Sequence, residues 1–125
     1  MKLTGIIREL ASKRRIQVAV GIGGDDAASI QRLAEARQEV EKLGLARTIL
    51  VSKARPNGMD CCEAEEPEKE ILRQLKVGEV EAVVRGTLAA EPFVRAVRTA
   101  YEVDEIYRIG LLETFDGKDF FFAPV

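Results

Sequence analysis

Arg85, Gly86 and Thr87, in the stretch VEAVVRGTLAAEP, combine a fixed positive charge, a backbone without a side chain and a hydroxyl. An arginine at the end of a buried strand, just ahead of a helix N-terminus, suits a grip on a phosphate or carboxylate. The same residues also suit a solvent-facing arginine beside a turn. A second candidate is VAVGIGGDD, where Gly21, Gly23 and Gly24 follow an apolar run and precede a helical pattern. Strand, glycines and helix is the order of nucleotide-binding loops. The fingerprint G-x-G-x-x-G would need glycine at position 26, which is Asp26, and no G-x-x-x-x-G-K-[ST] occurs. Asp25 and Asp26 bring carboxylates to the helix start, where they cap N–H groups and repel a pyrophosphate. The glycines therefore read first as a tight turn with Asp25 as helix cap, and second as a loop that a small ligand can approach closely.

Histidine is absent from all 125 residues, which removes Ser-His and Cys-His nucleophile pairs and histidine metal sites. No catalytic residue and no metal site can be assigned. Cys61 and Cys62 are adjacent, matching neither CxxC nor zinc-site spacing, and read as two reduced thiols in a loop. Glu65 with Glu66, and Glu79 with Glu81, lie in charged stretches that read as solvated faces. The formal net charge of −2 gives no basic field for nucleic acid. No apolar run approaches the roughly 20 residues that span a bilayer, and the amphipathic N-terminus is unlike a signal peptide. A cytoplasmic protein with neither nucleic-acid nor membrane partners is expected.

The elements that must position these residues follow from periodicity. A leading helix over Lys2 to Arg14 carries Leu3, Ile6, Ile7 and Leu10 at helical spacing. Apolar strands are predicted at Ile16 to Gly21, Ala46 to Ser52 and Val80 to Val84. Helices are predicted over Asp25 to Leu43, with Gly44 as left-handed cap, over Pro67 to Lys76, and from near Pro92 with Phe93, Val94, Val97 and Tyr101 inward. The segment between Ser52 and Pro67 is polar and turn-rich. Glu105 to Thr114 and Lys118 to Val125 flank FDGK, where Asp116 and Gly117 supply a two-residue hairpin turn. Repeated strand and helix predicts one α/β domain over residues 1–125, with a mostly parallel sheet, helices on both faces and ligands at the C-terminal strand ends.

The succession VAVGIGGDD, LARTILVS, VEAVVRGTLAAEP and IGLLETFDGKDFFFAPV resembles the first half of the phosphate acetyltransferase and phosphate butyryltransferase superfamily, most closely its methyltransferase-related Mtx subunit X group of archaeal methanogens, a methanogenesis marker family. The resemblance implies a three-layer α/β/α sandwich similar to isocitrate and isopropylmalate dehydrogenases, ending in a β-hairpin. Arg85, Gly86 and Thr87 match the superfamily's loop after the third strand, and Arg85 stands where that loop usually begins with a small residue. It also implies an acyl or phosphorylated ligand, with coenzyme A or an acyl phosphate as substrate, and catalytic residues in a second half beyond Val125. The chain is expected to be the front part of a larger fold. Phe120, Phe121 and Phe122 cannot all face one core from one strand, which predicts that a homodimer, or a second half, covers them. Two functions follow: a transferase-family protein binding a small anionic ligand, or a non-catalytic partner of methyltransferase subunits.

Overall fold

The computed structural model of the chain describes residues 3–24, 26–56 and 59–124. Helix α1 spans Leu3–Arg14 and passes through Arg15, in the left-handed region at φ 48°, into strand β1, Ile16–Ile22. Helix α2, Ala27–Lys42, leads to β2, Ala46–Ser52, and a short β3, Cys62–Glu63. Helix α3, Pro67–Val77, is followed by β4, Ala82–Val84, and helix α4, Ala90–Tyr101. A hairpin of β5, Gly110–Glu113, and β6, Asp119–Phe122, completes the order.

The four-stranded sheet has the order β3-β2-β1-β4 and every pairing in it is parallel. β1 is central because it can be buried on both sides: from Ala19 to Ile22 no residue is exposed. Its alternation sends Val18, Val20 and Ile22 toward Ile30 and Leu33 of α2, together with Leu50 and Cys61. Ala19 points the other way, into a cluster with Val51, Ile71 and Leu72 of α3, Val80, Leu88 and Ala96 of α4. Helices thus lie on both faces of the sheet, α2 on one, α3 and α4 on the other. The α3 face is the better filled, with Ile71 fully buried.

Several predicted boundaries move for local reasons. The cap of α2 is Asp26, whose carboxylate accepts from Ala28 N–H at 3.1 Å; the expected cap Asp25 lies outside the described residues. Leu43, expected as the last residue of this helix, is its exposed C-cap, and Gly44 at φ 71° makes the left-handed turn beyond it. Pro92 sits inside the first turn of α4 rather than at its start, where a missing N–H is tolerated. Tyr101 is exposed rather than inward, with the Lys76 ammonium 5.6 Å from its ring centre. Val80 is buried but precedes the ladder of β4, because Glu81 N–H bonds Gln17 O and pairing begins at Ala82. The hairpin loop has three residues, not two: Thr114 N–H bonds Lys118 O at 2.9 Å, and Gly117 adopts φ 84°. Helix α1 forms as predicted, yet its stripe of Ile6, Ile7 and Leu10 is exposed. No helix among the described residues is long and apolar enough to cross a membrane.

Candidate functional site

The chain leaves β1 for β2 and β3 on one side, then crosses the sheet to place β4 on the other side of β1. Ligands of open parallel sheets gather at such a reversal, outside the carboxyl ends of the strands. The two loops flanking it are Gly21 to Gly24 and Arg85 to Thr87. Of the six residues predicted for the site, the structure brings five into one backbone junction.

In that junction Thr87 N–H donates to Gly21 O at 3.1 Å, and Leu88 N–H donates to Arg85 O at 3.2 Å. Gly23 N–H donates to Thr87 Oγ1 at 2.9 Å. Gly86 has φ 63°, and a Cβ there would lie 2.1 Å from Gly21 O. A Cβ on Gly21 would meet Leu88 Cδ1 at 2.2 Å and Arg85 O at 2.9 Å, and one on Gly23 would lie 3.1 Å from Leu88 Cα. These three glycines therefore let two loops pack backbone on backbone, and Leu88 fills the space beneath them. Gly24 differs: at φ 80° it has open space where its Cβ would be. Arg85 is exposed and has no ion pair among the described residues.

An open cleft of about 800 Å³ lies beside the junction, between the β1–α2 loop and the segment after β2. Gly23, Gly24, Ala27 and Ile30 form one wall, and Ser52, Lys53, Arg55 and Pro56 form the other. Arg85, Gly86 and Thr87 are not in its lining; they stand on the β4 side of β1. The cations facing the cleft are Lys53 and Arg55, which residue-type reasoning had not singled out. Their only sequence signal is position, directly after the C-terminal end of a parallel strand. Both are held by exposed carboxylates, Lys53 by Glu65 at 3.3 Å and Arg55 by Glu63 at 3.7 Å. Pairs of this kind are worth little in water, so an incoming anion competes with them easily.

The start of α2 offers no comparable positive end, since Asp26 already occupies it. Its carboxylate accepts from Ser29 Oγ at 2.6 Å as well as from Ala28 N–H, and these bonds, Ser29 first, hold its pKa below the ordinary value. The thiols are not at the cleft. Cys61 is buried in the α2-side cluster, while Cys62, next along the chain, turns to the α3 side. Both are free, and burial first, then the nearby Glu70, pushes the Cys62 thiol up. No group of three or more His, Cys, Asp or Glu among the described residues is placed to hold a metal ion. The arrangement offers two cations opposite a wall that Gly23 and Gly24 leave open, which suits binding of an anion.

Comparison with known proteins yields a consistent set of relatives. The chain is 32% identical over 124 residues to a Methanosarcina mazei protein named "Putative methyltransferase mtx subunit X", covering 95% of this chain and 43% of that protein. Proteins of the same name from Methanosarcina barkeri and Methanosarcina acetivorans are 29% and 27% identical, each again matched over 43% of its length. The chain thus spans less than half the length of the curated relatives it matches. No family model matches the chain, and no solved structure matches it. The homologues support the likeness to the mtx subunit X group, and the comparisons do not extend it to the phosphate acyltransferases.

Proposed function

We propose that this chain is part of a methyltransferase-related subunit and that it binds a small anionic ligand at the C-terminal edge of its parallel sheet. The observation that carries the reading is the cleft between Gly24 and Lys53, where Lys53 and Arg55, held only by exposed carboxylates, face a wall that Gly23 and Gly24 leave open. Arg85, across the glycine junction and without an ion pair among the described residues, adds a third cation to the same sheet edge. The ligand class, an acyl phosphate, coenzyme A or another phosphorylated molecule, rests on the sequence resemblance. So does assignment to the front part of a dehydrogenase-like α/β/α sandwich.

Titration calorimetry with acetyl phosphate and with coenzyme A tests this. Removing one charge-assisted hydrogen bond from a solvated site weakens binding by about tenfold, the expected effect of Lys53→Ala, Arg55→Ala and Arg85→Ala, with circular dichroism unchanged. Unaltered binding by Arg85→Ala removes that residue from the site. Unaltered binding by all three refutes the anion site. A second reading, a non-catalytic partner in methyl transfer, is favoured by the absence of histidine and by the position of both thiols away from the cleft. It predicts no turnover of any acyl phosphate and a specific complex with another methyltransferase subunit.

A further inference from the structure

Beneath helix α2 the core is incompletely filled. Register sets Val20 between Leu50 and Val84, and Val18 between Thr48 and Ala82, so these side chains share the face that α2 covers. Helix α2 lies over β2, and the residues it turns toward this face are Leu33, Ala36, Arg37 and Val40, at helical spacing. The middle turn of that stripe supplies only an alanine methyl and an arginine stem where an aliphatic side chain would close the space toward β4. What remains is a pocket of about 270 Å³. Its floor lies deep in the core, with Val20 7% and Leu50 1% exposed.

The walls of this pocket are carbon, because its two polar side chains are engaged elsewhere. Arg37 Nε donates to Thr48 Oγ1 at 2.8 Å, and Thr48 donates to Glu41 Oε1 from its hydroxyl at 3.2 Å and from its N–H at 3.3 Å. Arg37 and Glu41 stand 3.8 Å apart, so their charges offset each other. What the two polar residues leave to the wall is the methyl of Thr48 and the stem of Arg37. Water entering the pocket gains no hydrogen bond, and an anion would shed its hydration without a compensating contact.

We infer that the pocket between α2 and the sheet is a second binding site, for a small, neutral, hydrocarbon-like molecule. It shares no lining residue with the anion cleft. Size and exposure choose this occupant over a polypeptide. Of the ten lining residues only Ala36 and Val84 are exposed, which leaves a mouth far smaller than the roughly 800 Å² that one partner contributes to a standard protein interface. One turn of α-helix, about 10 Å across with a pitch of about 5.4 Å, occupies roughly 420 Å³ and does not fit. At roughly 30 Å³ for each water-sized group, the pocket admits about nine such groups, the scale of a substituted benzene ring.

Methyl-resolved NMR of the 125-residue chain, titrated with toluene and separately with benzoate, tests the inference. Toluene should shift the methyls of Val18, Val20, Leu33, Leu50 and Val84 in one saturable step, with a Kd on the order of 1 mM for a ligand of this size. Benzoate should bind at least about tenfold more weakly, since its carboxylate finds no partner. Ala36→Met carries a flexible side chain into the empty turn, and should weaken toluene binding at least about tenfold without lowering the thermal midpoint. The absence of a saturable shift at those methyls overturns the inference. So does a response confined to the exposed apolar residues of α1 and the hairpin, one that Ala36→Met leaves unchanged, or equal binding of benzoate. Methyl shifts that appear on dilution alone also overturn it, because the pocket would then hold a side chain of a second copy.

Discussion

Replacing Gly86 by alanine should unfasten the junction between the two strand-end loops, and its cost can be worked from the geometry. The new methyl would lie 2.1 Å from Gly21 O, whose strand is paired on both sides and cannot yield. Carbon and oxygen come no closer than about 3.3 Å, so the loop must lift by roughly 1 Å. Such a shift breaks the 3.1 Å bond from Thr87 N–H to Gly21 O and the 2.9 Å bond from Gly23 N–H to Thr87 Oγ1. Two bonds at about 0.5–1.5 kcal/mol each are lost. The left-handed backbone at φ 63° adds roughly 1–2 kcal/mol for any residue with a Cβ. The total of about 3 kcal/mol corresponds to a midpoint lowered by about 10 °C for a chain of this size. Gly44→Ala is the matched control, with φ 71° and nothing within 4 Å, so it should carry the backbone cost alone. Urea melts followed by far-UV circular dichroism should separate the two variants by about 1–3 kcal/mol. Equal destabilisation of both would refute the loop-on-loop packing.

Thr87→Val keeps the shape but strands the Gly23 amide, and should cost about 1–2 kcal/mol in the same urea assay, while Thr87→Ser restores most of it. The hydrogen bonds from Thr4, side chain first, hold the Glu113 carboxyl below its ordinary 4.5. Its tie to α1 is therefore complete above that value and is lost as pH falls through the lower folded value. Amide exchange at Leu3 and Thr4 should rise on acidification below 4.5, after correction for the intrinsic pH dependence, and Glu113→Gln should abolish the change; acid sensitivity surviving in the variant would refute the tie. Because Cys61 and Cys62 point to opposite faces, reductant should leave the thermal midpoint unchanged, and Cys61 should react with a thiol reagent only on unfolding. A reductant-dependent midpoint would reveal a vicinal disulfide.

Elements whose residues carry their own signal were legible in the sequence. The run of β-branched and apolar residues from Ala46 to Ser52 forms a strand with those bounds, because parallel central strands need apolar side chains on both faces. Pro67 opens α3 as its fixed backbone requires, and the helix runs one residue past the expected Lys76, to Val77, before Gly78 turns left-handed at φ 82°. What was missed depends on partners far away in sequence. Cys62 and Glu63 form a strand only because Val51 and Ser52 offer an edge, and two residues in a charged stretch show no periodicity. The spacing of Leu3, Ile6, Ile7 and Leu10 correctly gives a helix, but spacing cannot say whether its stripe is covered. The junction of Gly21, Gly23, Gly86 and Thr87 was legible as two separate loops at the sheet's ligand edge. That the glycines serve one another, and that Lys53 and Arg55 face the open cleft, emerges only when the crossover sets β4 beside β1.

The placement of β1 between β2 and β4 also fixes a timetable for synthesis. Val18 meets Thr48 on one side and Ala82 on the other. The first neighbour therefore emerges from the ribosome 30 residues after Val18, the second only after 64. At about 5–20 residues per second, one edge of the most apolar strand stays open for roughly 3–13 s of elongation. The strand that finally closes it is three residues long, so the nascent chain carries a sticky edge while those 64 residues are added and depends on a brief pairing to seal it.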